Sequence, residues 1–228
     1  MLYVMSDIHG YDIRYKDILR QIRLKKDDHL YILGDVIDRY PGGLRLLRET
    51  MKKPNITLLL GNHEYMMLQA LTDPGTELEM DHWYWNGGDI THRAFKHCSK
   101  AYRAEVLEYI RNLPLNVDVT VNGINYLLVR GAPTDTYKAG YSSFTDVAMH
   151  AVWTRIDPQK PLVKGKTVIF GHTPTKYYGS RFPLRIYHGD GQIGIDCGCA
   201  YGSIGRLAFP LFAFFISEGM RYTRSKKR

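Results

Sequence analysis

Cysteine is scarce in this chain: Cys98, Cys197 and Cys199 are the three among 228 residues, and no C-x-x-C pair exists. An odd count without paired spacing speaks against a disulfide framework and a zinc knuckle, so a reducing cytoplasm is the expected compartment. Long apolar runs are missing as well. The longest, "LAFPLFAFFI" at 207–216, has ten residues and contains Pro210. That falls short of the ~20 residues a membrane helix needs, so it reads as one or two core strands and no membrane partner is expected. The opening "MLYVMSDI" has neither the basic start nor the apolar stretch of a signal peptide. Internal repeats, low-complexity segments and a nucleophilic Ser or Cys motif are also lacking.

Charge of one sign is in modest excess, at +8. Arg221, Arg224, Lys226, Lys227 and Arg228 supply five of those positives. They predict a solvated basic tail over 221–228 and not a nucleic-acid surface. The mild remainder suits an anionic substrate. What is present is an ordinary globular mix, with 44% apolar and 24% charged residues, which argues against disorder upstream of the tail. The length fits one domain, taken as 1–220. The oligomeric state is left open.

Residues 2–5, 29–33 and 55–60 are short apolar strands. Helical spacing over 12–23 places Ile18, Leu19 and Ile22 on one face, and 43–52 and the segment through "EYMMLQAL" are further helices. Strand, helix, strand, helix, strand marks an α/β core. Residues 77–112 read as helical and aromatic. "LNVDVTV", Asn122-Gly123 and "INYLLV" form a hairpin. "TVIF" (167–170) is another strand, and the last quarter alternates strands with glycine turns. The expected architecture is an α/β (α+β) fold of two packed mixed β-sheets flanked by helices.

Each early strand ends in chemistry. "LYVM" runs into "SDIHG", with Asp7 and His9. "HLYIL" runs into "GDVIDR", with Asp35, Asp38 and Arg39. "NITLLL" runs into "GNHE", with Asn62 and His63, and "TVIF" runs into "GHT", with His172. Ligands of open α/β sheets bind beyond the carboxyl ends of the strands, so these side chains converge. Any one motif is weak, but four in order are hard to explain as packing. Oxygen and imidazole donors without cysteine favour Mn, Fe, Mg or Zn. Two divalent ions about 3.5–4 Å apart would share one carboxylate, and Asp35 is central in the set.

In order and spacing, "SDIHG", "GDVIDR", "GNHE" and "GHT" resemble the motifs of the phosphoprotein phosphatase family of calcineurin-like metallophosphoesterases. "WNGGD" (85–89) and "VWTR" (152–155) resemble segments of its small bacterial and phage serine/threonine protein phosphatases. The resemblance runs from about residue 1 to 205 and implies a role for each residue. Asp7 and His9 hold a first metal ion, Asp35 bridges, and Asn62 and His172 hold a second. Arg39 and Arg155 grip phosphate, and His63, oriented by Asp38, is the general acid. Two ions, manganese first among the candidates, would ready a water, the guanidinium groups would clamp phosphoryl oxygens, and the imidazole would protonate the leaving alkoxide.

One position departs from the pattern. The family places a metal-ligating histidine at the end of the strand after the hairpin, and here "YLLVRG" has Arg130. A guanidinium stays protonated and offers no lone pair. Three readings are open. The second metal binds weakly or not at all, with activity reduced; or His150 or His188 serves instead; or one metal works beside a cationic arginine. Arg130 is expected to fill the second metal position and pair with Asp35. The expected activity is hydrolysis of phosphoserine or phosphothreonine, with phosphotyrosine open, in a phosphorylated protein or peptide. Alternatives are dinucleoside polyphosphate hydrolysis and a non-catalytic phosphopeptide binder. Trp83, Tyr84 and Trp85 read as helix packing, Cys197 and Cys199 as small buried residues, and Glu64 as a support for His63 or for the helix start.

Overall fold

The computed structural model describes residues 1–72, 76–141, 143–157, 160–179 and 184–201, together with the short strands at 203–204, 207–208, 212–215 and 222–224. Its first half alternates as expected: β1 (Leu2–Met5), α1 (Asp12–Ile22), β2 (His29–Ile32), α2 (Gly43–Lys52), β3 (Ile56–Leu58) and α3 (Asn62–Thr72). The aromatic middle forms three helices, α4 (Glu77–Trp85), α5 (Asp89–Lys96) and α6 (Lys100–Arg111). The hairpin follows as β4 (Asn116–Val121) and β5 (Ile124–Val129). Its turn places Asn122 and Gly123 both at positive φ, the conformation that favours Asn-Gly between strands. Then come α7 (Val147–Trp153), β6 (Thr167–Phe170), β7 (Tyr187–Gly189), β8 (Gln192–Gly194), β9 (Ser203–Ile204), β10 (Leu207–Ala208), β11 (Phe212–Phe215) and β12 (Tyr222–Arg224).

Two five-stranded sheets result, ordered β12-β11-β1-β2-β3 and β4-β5-β6-β8-β7, with β9 and β10 paired separately. Strands β1, β2 and β3 run parallel, as do β5, β6 and β8. Strand β12 pairs antiparallel with β11. Three residues of the expected tail, Tyr222, Thr223 and Arg224, are therefore part of the first sheet; 221 and 225–228 lie outside the described residues, as do 209–211 and 216 of the long apolar run.

The period-2 alternation of the strands decides what packs where. Tyr3, Leu30 and Ile56 are in register on one face of the first sheet, and with Met5, Ile32 and Leu58 they meet α1, α2, α3 and α6 through Ile18, Leu47, Met67 and Val106. The opposite face turns Val4, Leu33 and Leu59 onto Leu128, Ile169 and Ile193 of the second sheet, which are themselves in register. Burying a side chain of this size contributes about 1.5–3 kcal/mol, so this inter-sheet layer fixes how the two sets of strand ends face each other. Leu127, Val129, Val168 and Phe170 form the outer layer with Ile156. No helix among the described residues is long and apolar enough to cross a membrane.

Candidate metal and phosphate site

Six parallel strands, three from each sheet, end around one cavity of about 100 Å³. From the first sheet, β1 delivers Asp7 and His9, β2 delivers Asp35, Asp38 and Arg39, and β3 delivers Asn62 and His63. From the second, β5 delivers Arg130, β6 delivers His172, and β8 delivers Asp196. All but Asp38 line the cavity, together with Arg155 from the segment after α7. Every site residue expected from sequence is thus brought together, and Asp196 is an addition. It lies beyond the end of an apolar strand like the others, in "QIGID", so the same signal was there to find it.

The backbone turns sharply at these points. Eight described non-glycine residues have positive φ, and six of them are Asp7, His9, Asp35, Asp38, Arg39 and His172. Such conformations cost about 1–3 kcal/mol each and persist where the surroundings over-determine them. Here backbone hydrogen bonds do so: His9 N–H donates to the Asp35 carbonyl at 2.8 Å, and His172 N–H donates to Asp7 Oδ2 at 3.1 Å. Gly61, between β3 and Asn62, has to be glycine because a Cβ there would collide with the carboxylates of Asp35 and Glu64.

On one side of the cavity the donor set suits a divalent cation. One ligand atom from each of His9, Asp35 and His63 lies within 4.8 Å of the other two. His9 Nε2 is 3.5 Å from Asp35 Oδ2 and 3.9 Å from Asp7 Oδ1. Its Nδ1–H donates to the Ile37 carbonyl at 3.3 Å, which leaves the Nε2 lone pair facing the carboxylates, the tautomer a metal ligand needs. Burial, then the neighbouring His63 and Arg39, hold the His9 ring well below its ordinary pKa, which favours the neutral form that could ligate an ion.

On the other side the donors are taken. Arg130 is 1% exposed, and its guanidinium lies among the side chains expected to hold a second ion. It donates through Nη2 to Asp35 Oδ2, to Asn62 Oδ1 at 3.0 Å and to His172 Nδ1 at 3.4 Å. Through Nη1 it pairs with Asp7 Oδ2 at 2.7 Å and reaches the Leu33 carbonyl at 3.3 Å, and Nε reaches Asn62 Oδ1 at 3.3 Å. Ions of this class sit about 2.0–2.2 Å from oxygen and nitrogen ligands. An ion bound to Asp35, Asn62 and His172 would coincide with guanidinium atoms, so these residues do not fit a second ion while Arg130 is in place. His150 and His188 do not replace it. His150 is held between Thr136 Oγ1 and Thr154 Oγ1 at 2.9 and 3.2 Å, and His188 lies on β7, outside the cavity.

The electrostatics follow from this pairing. Burial pushes Asp35 toward protonation, but Arg130, His63 and His9 outweigh it and hold the carboxyl well below the usual range. Burial opposes the Arg130 charge, and Asp35 and Asp7 more than compensate. Burial, then Arg130 and Arg155, pull His172 down to about 3. Asp196 is pushed up to about 8, by burial and then by the charge of Asp7.

Deeper in, His63 Nδ1–H donates to Asp38 Oδ2 at 2.7 Å. Arg39 Nη2 donates to His63 Nε2 at 3.2 Å, and since arginine only donates, this fixes the tautomer. Asp38 is held in turn by the Trp83 indole N–H at 2.8 Å, and its own N–H donates to Thr91 Oγ1 at 2.9 Å. Of the three aromatics read as helix packing, Trp83 is fully buried and also positions the carboxylate behind His63, whereas Tyr84 is exposed and Trp85, 95% exposed, does not pack because the end of α4 turns it to solvent. Arg155 Nη1 lies 3.4 Å from Thr173 Oγ1.

Glu64 supports the loop of Asp35 more than His63. Its Oε2 accepts Asp35 N–H at 2.8 Å, and its Oε1 accepts Val36 and Ile37 N–H at 2.9 and 3.3 Å. Burial and then Asp35 push it up to about 7. Glu64→Gln replaces one acceptor oxygen with an NH₂ facing backbone N–H donors. A loss of about 1–3 kcal/mol is expected, the cost of a buried unsatisfied donor, read as a lower urea midpoint at unchanged m.

Comparison with known proteins agrees with this geometry. The sequence profile of the Calcineurin-like phosphoesterase family matches residues 1–193. Serine/threonine-protein phosphatase 1 of Salmonella typhimurium is 31% identical over 184 residues, covering 77% of this chain and 79% of that relative. The symmetrical bis(5'-nucleosyl)-tetraphosphatase of Wigglesworthia glossinidia brevipalpis is 43% identical over 68 residues, which span 29% of this chain and a quarter (25%) of that relative's length. A metallophosphoesterase from Sphaerobacter thermophilus superposes with a TM-score of 0.60 at 17% identity, over 100% of this chain and 89% of that one, which is a likeness of fold. With the profile covering the strands from β1 to β7 and the strand ends that carry Asp7 through His172, the chain belongs to the calcineurin-like phosphoesterases.

Proposed function

We propose that this protein is a metal-dependent phosphomonoesterase acting on phosphoserine or phosphothreonine in a protein or peptide. The observation that carries the reading is a hydrogen-bonded dyad, His63–Asp38, whose imidazole lines the same small cavity as Arg39 and Arg155. A divalent ion held by His9, Asp35 and Asp7 would supply Lewis acidity and lower the pKa of a bound water. The donors favour Mn, Fe, Mg or Zn, with manganese first.

The chain's own residues do the rest. Arg39 and Arg155 bind phosphoryl oxygens, a task that suits planar, permanently charged forks. Arg39 is the group that now donates to His63 Nε2, so its turn toward phosphate releases that nitrogen to carry a proton to the leaving oxygen. Asp38 stabilises the imidazolium this requires, and Trp83 keeps Asp38 aimed. A serine or threonine alkoxide leaves poorly without that proton, whereas a polyphosphate leaving group needs it less.

The 31% identity to a serine/threonine phosphatase over most of the chain supports this substrate class. The shorter tetraphosphatase match favours a second reading, hydrolysis of a dinucleoside polyphosphate. Assays with added Mn²⁺ on a phosphothreonine peptide and on diadenosine tetraphosphate separate them. Turnover of the peptide at least tenfold above that of the dinucleotide is expected. The reverse ratio would replace the proposed substrate, and stable peptide binding without turnover would make the protein a phosphate-binding relative instead.

A further inference from the structure

We infer that the Arg130 guanidinium is a built-in substitute for the second divalent ion, so that this protein takes up one such ion per chain where a two-ion site is the expectation. The inference shares with the proposed function only the single ion beside His9, and it is tested by metal content, so either can fail without the other.

The acceptors decide the matter. An ion at the second position needs lone pairs from Asn62 and His172 as well as from the shared Asp35, and the Asn62 and His172 acceptor atoms, which belong to that position alone, already receive guanidinium N–H groups. His172 is oriented for this role: its Nε2–H donates to the Trp153 carbonyl at 3.1 Å, which leaves the Nδ1 lone pair turned to Arg130. All three guanidinium nitrogens are engaged by protein acceptors, so the group has little left to offer a substrate. Its place is as an internal cation.

Charge leads to the same count. The carboxylates of Asp7 and Asp35 balance two positive charges, and the guanidinium already supplies one. A single divalent ion completes a mildly cationic pocket suited to a phosphate dianion. Two ions added to Arg130 would crowd far more positive charge against a group that cannot deprotonate. Nor does the arginine move aside at small cost, because swinging it out strands two buried carboxylates. The remaining donors, His9 with Asp35 and the flanking Asp7 and His63, stay on the side of the cavity where one ion fits.

The test is the number of manganese ions retained per chain after equilibrium dialysis at a fixed free Mn²⁺, read by elemental analysis and by electron paramagnetic resonance. Wild type is expected to hold one ion with a mononuclear signal. Arg130→His is expected to hold two and to show a spin-coupled pair. His172→Ala is expected to leave the wild-type count at one, since His172 serves Arg130 and not the ion. Two ions or none in wild type would overturn the inference, as would a folded Arg130→His protein that gains none, or a fall in the count for His172→Ala. The wild-type and His172→Ala measurements carry the test should Arg130→His not fold.

Discussion

Arg130→Ala is expected to destabilise the protein by about 3–5 kcal/mol at neutral pH, the range for removing one partner of a buried ion pair. The loss is larger than that of a surface arginine because Asp7 and Asp35, 3% and 1% exposed, keep their charge and lose their counter-ion. The dependence on pH gives the prediction its signature. In the wild type, Asp35 is held below its unfolded pKa of about 3.9, so its contribution is fully present above that value and is lost as acid takes the pH below it. Without Arg130, burial becomes the leading influence and Asp35 shifts upward. A raised carboxyl works in the opposite sense: it favours the fold at low pH and costs stability as the pH rises toward its folded value. The deficit of the variant should therefore be smaller at pH 5 than at pH 8. Added Mn²⁺ should raise the Tm of Arg130→Ala more than that of wild type, since the variant frees Asp35, Asn62 and His172 for an ion. Chemical denaturation at the two pH values checks the first part and thermal melts with and without metal the second. A deficit below 1 kcal/mol at every pH would mean that the guanidinium is not the counter-ion of these carboxylates.

Much of this architecture was legible in the chain because its signals are local. The apolar strands were bounded by Gly, Asp and Asn, helices α1 and α2 had a recognisable apolar face, and Asn122-Gly123 fixed a hairpin by turn chemistry alone. The convergence of Asp7, Asp35, Asn62 and His172 was readable because parallel strands all point their carboxyl ends the same way. Less legible were contacts that join distant segments. Nothing near Trp83 shows that its indole reaches Asp38, 45 residues away. Glu64 lies next to His63 in sequence but bonds the loop of Asp35, because the first turn of α3 packs under that loop. Asp196 followed the strand-end rule yet stood in a glycine-rich stretch where β8 is short. Arg130 could be recognised as out of place from its position after "YLLV", but its binding of Asp7 from β1 as well as Asp35 from β2 depends on how the two sheets face each other, which is a tertiary fact.

His63→Gln is expected to lower kcat on a phosphothreonine peptide by about 10²–10⁴, the range for losing a general acid, or about 2.7–5.5 kcal/mol in the barrier. The same variant should lose much less, within about tenfold, on an aryl phosphate, whose leaving phenolate departs without a proton. This difference separates proton donation from the other services His63 provides. It lies within 3.9 Å of Asp35 Oδ2 and receives a hydrogen bond from Arg39, so its removal also disturbs the phosphate grip and the ion's surroundings. Those disturbances act on both substrates alike, and proton donation acts on one. Asp38→Asn should show the same contrast more weakly, because an asparagine oxygen still accepts from His63 Nδ1 but stabilises the imidazolium less. Trp83→Phe, which removes only the indole N–H donor to Asp38, should follow in the same direction with a smaller loss in kcat and little change in KM. Equal losses on both substrates for His63→Gln would assign the residue to holding the ion or the phosphate, and would leave the acid role to another group facing the cavity, with Asp196, whose carboxyl is pushed up to about 8, the next to test.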